Sequence, residues 1–309
     1  MKETNVIVMA GFLGSGKTTL LQKLLCYLQD NHQSYAVVMN EIGDTSIDTT
    51  LIGKDTPVNE ILNGCICCSS KEQFDQAIMS TIQQYHPDYL FVECSGVSHP
   101  YEVIDSCLNP LMSHFVNFKG VITTLDVPRW LYLQENDPSL FRLMYEQLAY
   151  ANVVIPTKTD LLDPEALLSF NDQRDALPLT REQWIWNPQA TTIFNQLDKG
   201  QPAAKQKKDE MTTQHMHIHT VRYTFKHPIS QTAFEDWLRQ LDDTILRVKG
   251  FLSFDHHPDK CYLFQYAFGV PLYEEYDMNP QHNLVVIGTD FDTEAIYKQL
   301  EQLDSQQDA

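Results

Sequence analysis

An apolar run, NVIVMA at 5–10, passes directly into GFLGSGKT at 11–18. Leu20, Leu21, Leu24, Leu25 and Leu28 follow at the spacing of one helix face. The octapeptide matches G-x-x-x-x-G-K-[ST], a phosphate-binding pattern that requires a strand before it and a helix after it. Gly11, Gly14 and Gly16 let the backbone curl until its N–H groups face phosphate oxygens. Ser15 lies within the same loop, and Thr19 stands beside its last residue. The N-terminus of the following helix adds favourable partial charge. Lys17 can then reach β- and γ-phosphates, and Thr18 can ligate Mg²⁺. A glycine-rich turn with a stray lysine is the bland alternative; the flanking strand and helix argue against it.

The rhythm set by this unit continues to about residue 195. YAVVM (35–39), YLFVEC (89–94), GVITTLD (120–126) and NVVIPTK (152–158) read as short strands, and FDQAIMSTIQQY (74–85) as a helix. Short apolar strands separated by helices predict an α/β fold with a mainly parallel sheet covered on both faces. DKGQPAAKQKKDEMTTQ (198–214) has no apolar stripe and reads as a polar linker or loop. Beyond it a strand at 215–225 precedes a helix at 231–241, with Phe234, Trp237, Leu238 and Leu241 on one face. ILRVKGFLSF, CYLFQYAF, NLVVIG and a last helix at 293–303 complete a smaller α+β domain. The expected organisation is therefore 1–197, a linker at 198–214, and 215–309.

Two further loops bear on the nucleotide. TKTD (157–160) directly follows a strand. In an N-K-x-D guanine loop the aspartate accepts from guanine N1 and N2, and the lysine stem packs on the base. Thr157 stands in place of the asparagine, while Lys158 and Asp160 remain. In FVECSG (91–96), Glu93 ends an apolar strand where a carboxylate can hold Mg²⁺ through water. Gly96 can offer its N–H to a γ-phosphate and move when that phosphate leaves. An ordinary strand-to-helix loop and an exposed strand-terminal glutamate are the plainer possibilities for these two segments.

Composition narrows the function classes. The net charge of −19 disfavours nucleic acid, which needs a basic face to neutralise phosphates. No run of about 18 apolar residues is present, so no membrane span is expected. The start, MKETNVIVMAGF, lacks the pattern of a signal peptide and reads as cytoplasmic protein. Seven cysteines, an odd count, argue against a disulfide framework. Four of them, Cys26, Cys94, Cys107 and Cys261, are scattered and expected to be small buried hydrophobes. Cys65, Cys67 and Cys68 fall together in NGCICCSS. Thiolates suit Zn²⁺, Co²⁺ or Cu(I), but a closed structural zinc site needs four ligands and only this cluster exists. The three cysteines could instead form a redox cluster, clamp their loop, or lie buried without a role.

Taken in order, GFLGSGKTTLL, NEIGDTSID, NGCICC, ECSG and TKTD resemble the CobW-like branch of the metallochaperone GTPases. The resemblance spans the first domain, and the smaller domain also fits the family. It implies that Gly11 to Thr18, with Thr19, bind the phosphates of GTP or GDP. It implies that Thr18 and Glu93 serve Mg²⁺, that Gly96 belongs to the family's E-x-x-G, and that Thr157 to Asp160 read guanine. Threonine is common at that first position in the family.

The resemblance further implies a transition-metal site at Cys65, Cys67 and Cys68. Asn40, Glu41 and Gly43 match a switch segment whose glutamate is associated with the metal, so Glu41 or Asp44 can complete the site. The metal is zinc, cobalt or nickel, with zinc favoured. The implied function is a slow GTPase that delivers metal to a client protein, assisted by the client, by metal or by self-association. A zinc sensor or buffer that barely hydrolyses GTP, and a P-loop ATPase or kinase acting on a small molecule, are the rivals. His215, His217 and His219 alternate and share one strand face, as an accessory metal site, a docking surface or simply a half-exposed polar face. DHHPD (255–259) reads as a hairpin turn rather than a ligand cluster.

Overall fold

Strand β1, Thr4–Gly11, is buried along almost its whole length because it lies at the centre of a sheet. The computed structural model describes residues 2–39, 71–112, 114–177, 179–199, 218–242, 244–267, 269–278, 280–289 and 291–305. Around β1 run β2 (Tyr35–Met39), β3 (Tyr89–Glu93), β4 (Val116–Asp126) and β5 (Val153–Thr157), in the order β2-β3-β1-β4-β5. Every pairing is parallel. The carboxyl ends of β1, β3, β4 and β5 therefore share one edge, the edge where ligands bind in open α/β sheets.

Helices cover both faces. They are α1 (Lys17–Asp30), α2 (Lys71–Tyr85), α3 (Pro100–Cys107), α4 (Val127–Asn136), α5 (Pro138–Ala149), α6 (Pro164–Ala176) and α7 (Ala190–Asp198). Alternation along β1 decides which face each residue serves. Ile7 and Met9 pack with Leu20, Leu21 and Leu24 of α1 and with Ile193 and Phe194 of α7. A separate cluster joins Phe12 to Trp130 of α4, Met144 and Leu148 of α5 and Phe170 of α6. Aspartate caps start three of these helices: Asp126, Asp137 and Asp163 accept backbone N–H groups of α4, α5 and α6, each with proline in the first turn.

The second compact unit comprises Met216–Ala309 together with Leu108–His114, a short stretch that sequence periodicity does not distinguish. Its strands are β6 (Ile218–Thr224), β7 (Ile245–Phe254), β8 (His257–Ala267), β9 (Val270–Tyr276) and β10 (Asn283–Thr289). They pair antiparallel in the order β6-β10-β7-β8-β9. Helices α8 (Gln231–Gln240) and α9 (Thr293–Ser305) bury Phe234, Trp237, Leu300 and Leu303 against Val221, Val248, Phe264 and Val286. In the described part of Leu108–His114, Pro110 accepts a hydrogen bond from Asn283 Nδ2 at 3.3 Å.

Three expectations shift. β4 starts at Val116, four residues earlier than the apolar pattern indicates, because Asn117, Phe118 and Lys119 are only partly buried and interrupt the apolar run. α2 starts at Lys71 rather than 74. β9 is an added strand: VPLYEEY is mostly exposed at the sheet edge, so it lacks the alternation that betrays a half-buried strand. Within DHHPD only Asp255 and His256 form the hairpin turn, between the paired Phe254 and His257, while His257, Pro258 and Asp259 already belong to β8. Among the described residues no helix is long and apolar enough to cross a membrane.

Candidate functional site

The phosphate loop leaves β1 at Gly11, whose φ of 134° suits glycine alone. A Cβ there would collide with Thr124 Oγ1, so the backbone sits directly on β4. Ser15 is fully buried and its Oγ lies 2.6 Å from Thr124 Oγ1. That side chain supports the loop, and Ser15 has only its backbone to offer a phosphate. Gly16 takes a left-handed conformation at the N-cap of α1, which has no side-chain cap and no acidic residue in its first turn. The first amides of α1 thus present donors and positive potential with nothing anionic in that turn to oppose them. Lys17 is largely buried, and its Nζ donates to the carbonyls of Gly11 at 2.9 Å and Phe12 at 3.4 Å. Thr18 is half-buried and Thr19 exposed at the start of the same helix.

Glu93 is the last residue of β3 and pairs in register with Met9 on β1 and Met39 on β2. A carboxylate beside the loop that carries a threonine hydroxyl is an oxygen donor set that fits Mg²⁺. When bound, that ion would supply charge neutralisation for the phosphates. Cys94 follows, its N–H bonded to Met9 O at 2.8 Å. Burial pushes the Cys94 thiol up to about 12, opposed by Lys17 and reinforced by Glu93. It is therefore a protonated thiol near neutral pH and a poor nucleophile. Gly96 packs on the phosphate loop so tightly that a Cβ would lie 2.6 Å from Leu13 N.

The third loop arrives from β5. Thr157 Oγ1 lies 2.9 Å from Ser15 O and 3.1 Å from Leu125 O, which ties TKTD to the phosphate loop. Threonine does this with a single hydroxyl, which gives a physical reason for its place here. Lys158 adopts a left-handed conformation, and its Nζ pairs with Asp126 Oδ2 at 2.5 Å. Asp126 is buried, and its Oδ1 also accepts Arg129 N at 3.1 Å. Asp160 lies exposed in a single turn of 3-10 helix, Thr159–Leu161. A cavity of about 480 Å³ opens beside this loop, lined by residues including Phe12, Asp126, Arg129, Tyr132 and Lys158.

Sequence motifs missed three supporting residues. Asp126 holds Lys158, Thr124 holds Ser15, and Gln147 of α5 donates to backbone carbonyls of the Gly96 turn. LDVP at 125–128 carries an aspartate followed by proline, a helix-start signal that could have located Asp126. Nothing local marks Thr124 or Gln147, because their partners are 109 and 51 residues away.

Cys65, Cys67 and Cys68, with Glu41 and Asp44, lie outside the described residues, as do His215 and His217. His219 is partly buried and meets the Phe291 ring at 5.8 Å. Among the described residues no group of three His, Cys, Asp or Glu side chains could hold a metal ion. Of the scattered cysteines, Cys94, Cys107 and Cys261 are buried as expected, whereas Cys26 is exposed on α1.

A five-stranded parallel sheet with a glycine-rich phosphate loop at its carboxyl edge defines a P-loop nucleotide-binding protein. Residues 5–182 match the family model of the CobW/HypB/UreG nucleotide-binding domain, and residues 218–304 match the cobalamin synthesis protein CobW C-terminal domain. The chain belongs to the CobW/HypB/UreG family. It is 34% identical over 167 residues to the zinc chaperone YeiR of Escherichia coli, covering 54% of this chain and 49% of that protein. It is 26% identical to the zinc chaperone YjiA of Escherichia coli, over 86% of each chain. The crystal structure of Zn(II)-bound YjiA GTPase from E. coli aligns over 98% of this chain and 99% of that one, at 24% identity and a TM-score of 0.45. The chain thus spans about half of one of these relatives and most of the other.

Proposed function

We propose that this chain is a GTP-hydrolysing metallochaperone. It holds a transition metal, zinc first among the choices, at Cys65, Cys67 and Cys68, with Glu41 or Asp44 completing the site. It passes the metal to a client protein, and the GTP or GDP state governs holding and release. The observation that carries the nucleotide half is the Thr157 hydroxyl on Ser15 O, which ties TKTD to the phosphate loop. The metal half is supported by the CICC sequence and by relatives named as zinc chaperones.

In this reading Lys17 and the α1 amides orient the phosphates, Thr18 and Glu93 serve Mg²⁺, and Gly96 senses the γ-phosphate. Asp160 reads guanine N1 and N2. Phosphoryl transfer of this kind needs positioning and charge neutralisation more than covalent chemistry. Neither a water-positioning group nor an arginine finger is assigned in this reading, so the expected turnover is slow without client, metal or self-association. Phosphate release by the isolated, metal-free chain tests this: slow release from GTP and none from ATP is expected. Fast turnover, or a preference for ATP, would overturn it.

Gly96 gives a sharper test. A methyl group at this position must displace the turn or the phosphate loop, because it meets the backbone of Leu13. Gly96→Ala is expected to weaken binding of a non-hydrolysable GTP analogue about tenfold or more, from the roughly 1–3 kcal/mol of an overpacked site. Affinity for GDP should change far less. Equal losses for both nucleotides would remove the γ-phosphate role.

A further inference from the structure

The turn that carries Gly96 is held from behind. Ser98 N donates to Ser95 O at 3.0 Å and closes residues 95–98 into a turn. Behind it lies Gln147 of α5, 2% exposed. Its Nε2 donates to Gly96 O at 3.2 Å and to Ser98 O at 3.3 Å. Two carbonyl acceptors on one terminal atom require that atom to be the NH₂ group, so the orientation of the amide follows from its partners. Tyr150, which caps the end of α5, holds the next residues. Its ring meets those of His99 at 5.1 Å and Tyr101 at 6.2 Å. Gly96 is thus flanked by Leu13 of the phosphate loop on one side and by a buried amide on the other.

We propose that Gln147 is a positioning residue that latches the Gly96 turn through its carbonyl and so sets how strongly the protein discriminates triphosphate from diphosphate. This rests on the reading of Gly96 as the γ-phosphate sensor. The N–H and C=O of Gly96 hang on one Cα. Turning the N–H toward a γ-phosphate rotates the backbone there, which glycine alone permits freely, and draws the carbonyl off Gln147. The buried amide then loses its bond to Gly96 O, a cost that falls on the triphosphate state alone. Binding of a diphosphate asks for no such movement and leaves the latch closed.

The test uses the full chain, Mg²⁺, a non-hydrolysable GTP analogue and GDP. Gln147→Met keeps length and volume and removes the donors. The expected result is analogue affinity raised about tenfold, equivalent to 1.4 kcal/mol, with GDP affinity within about twofold of the parent. Thr123→Val is the control. Thr123 Oγ1 donates to Gln147 O at 3.3 Å, so this variant loosens the same helix but leaves the side-chain amide in place. It should leave the analogue-to-GDP ratio unchanged. An unchanged ratio in Gln147→Met overturns the latch, as does a parallel loss for both nucleotides or an equal shift in Thr123→Val. If the parent protein prefers adenine nucleotides, the guanine reading falls, and the same ratio measured with an ATP analogue and ADP still judges the latch.

Discussion

Zn²⁺ affinity, measured by chelator competition, should differ tenfold or more between the Mg²⁺–GTP-analogue form and the Mg²⁺–GDP form. Tenfold corresponds to about 1.4 kcal/mol of coupling, and a carrier that loads in one state and releases in the other needs at least that. The basis is chain order. Cys65, Cys67, Cys68, Glu41 and Asp44 all fall in the connection between β2 and α2. β2 pairs with β3, whose last residue is the Mg²⁺ candidate Glu93. Cys67→Ser should lower Zn²⁺ affinity by at least about two orders of magnitude and abolish the difference between states, because a hydroxyl replaces a thiolate ligand. Binding should also weaken as pH falls, since protons compete with metal for the thiolates. Equal affinities in both states, with nucleotide binding intact, would make the CICC cluster structural or redox-active and its owner a GTPase with other cargo.

The second large effect belongs to Asp160. It is exposed in the turn after β5, while Thr157 and Lys158 anchor that turn to the phosphate loop and to Asp126. Its carboxylate can accept both guanine N1–H and N2–H₂. Charge-assisted hydrogen bonds contribute roughly 1.5–3 kcal/mol each. Asp160→Asn should therefore cost GTP affinity about a hundredfold or more, measured by nucleotide competition. It should do so without unfolding the chain, because the side chain is exposed. Xanthine carries an oxygen where guanine carries the 2-amino group, so the amide should recover xanthosine triphosphate binding. A variant that binds GTP as well as the parent would show that TKTD is an ordinary strand-to-helix loop and would favour an ATPase or kinase.

The phosphate loop is legible in the chain because its chemistry is local. Gly11, Gly14, Gly16, Lys17 and Thr18 occupy eight consecutive positions, and neighbours in the chain dictate the loop between strand and helix. The parallel sheet is legible for a related reason: Val6, Ile7 and Val8 are all apolar because both faces of β1 are covered. β9 is not, because Val270, Pro271, Leu272, Glu274 and Glu275 lie exposed at an edge, where burial imposes no pattern.

The supports of the site behave differently. Lys158 and Asp160 stand out in a four-residue motif, but the pairing of Lys158 with Asp126 spans 32 residues. The P-loop pattern sets Ser15 among the phosphate ligands, and only its contact with Thr124 shows that its side chain points inward. Gln147 is one polar residue among several in an amphipathic helix until the fold brings Gly96 and Ser98 beneath it. Residue type and short spacing nominate groups for phosphate, guanine and metal, because that chemistry is a property of the side chains and their neighbours. What holds those groups still is a matter of packing. Hydrogen bonds such as Ser15–Thr124, Lys158–Asp126 and Gln147–Gly96 join distant segments, form only when strands and helices come together, and leave no local signature.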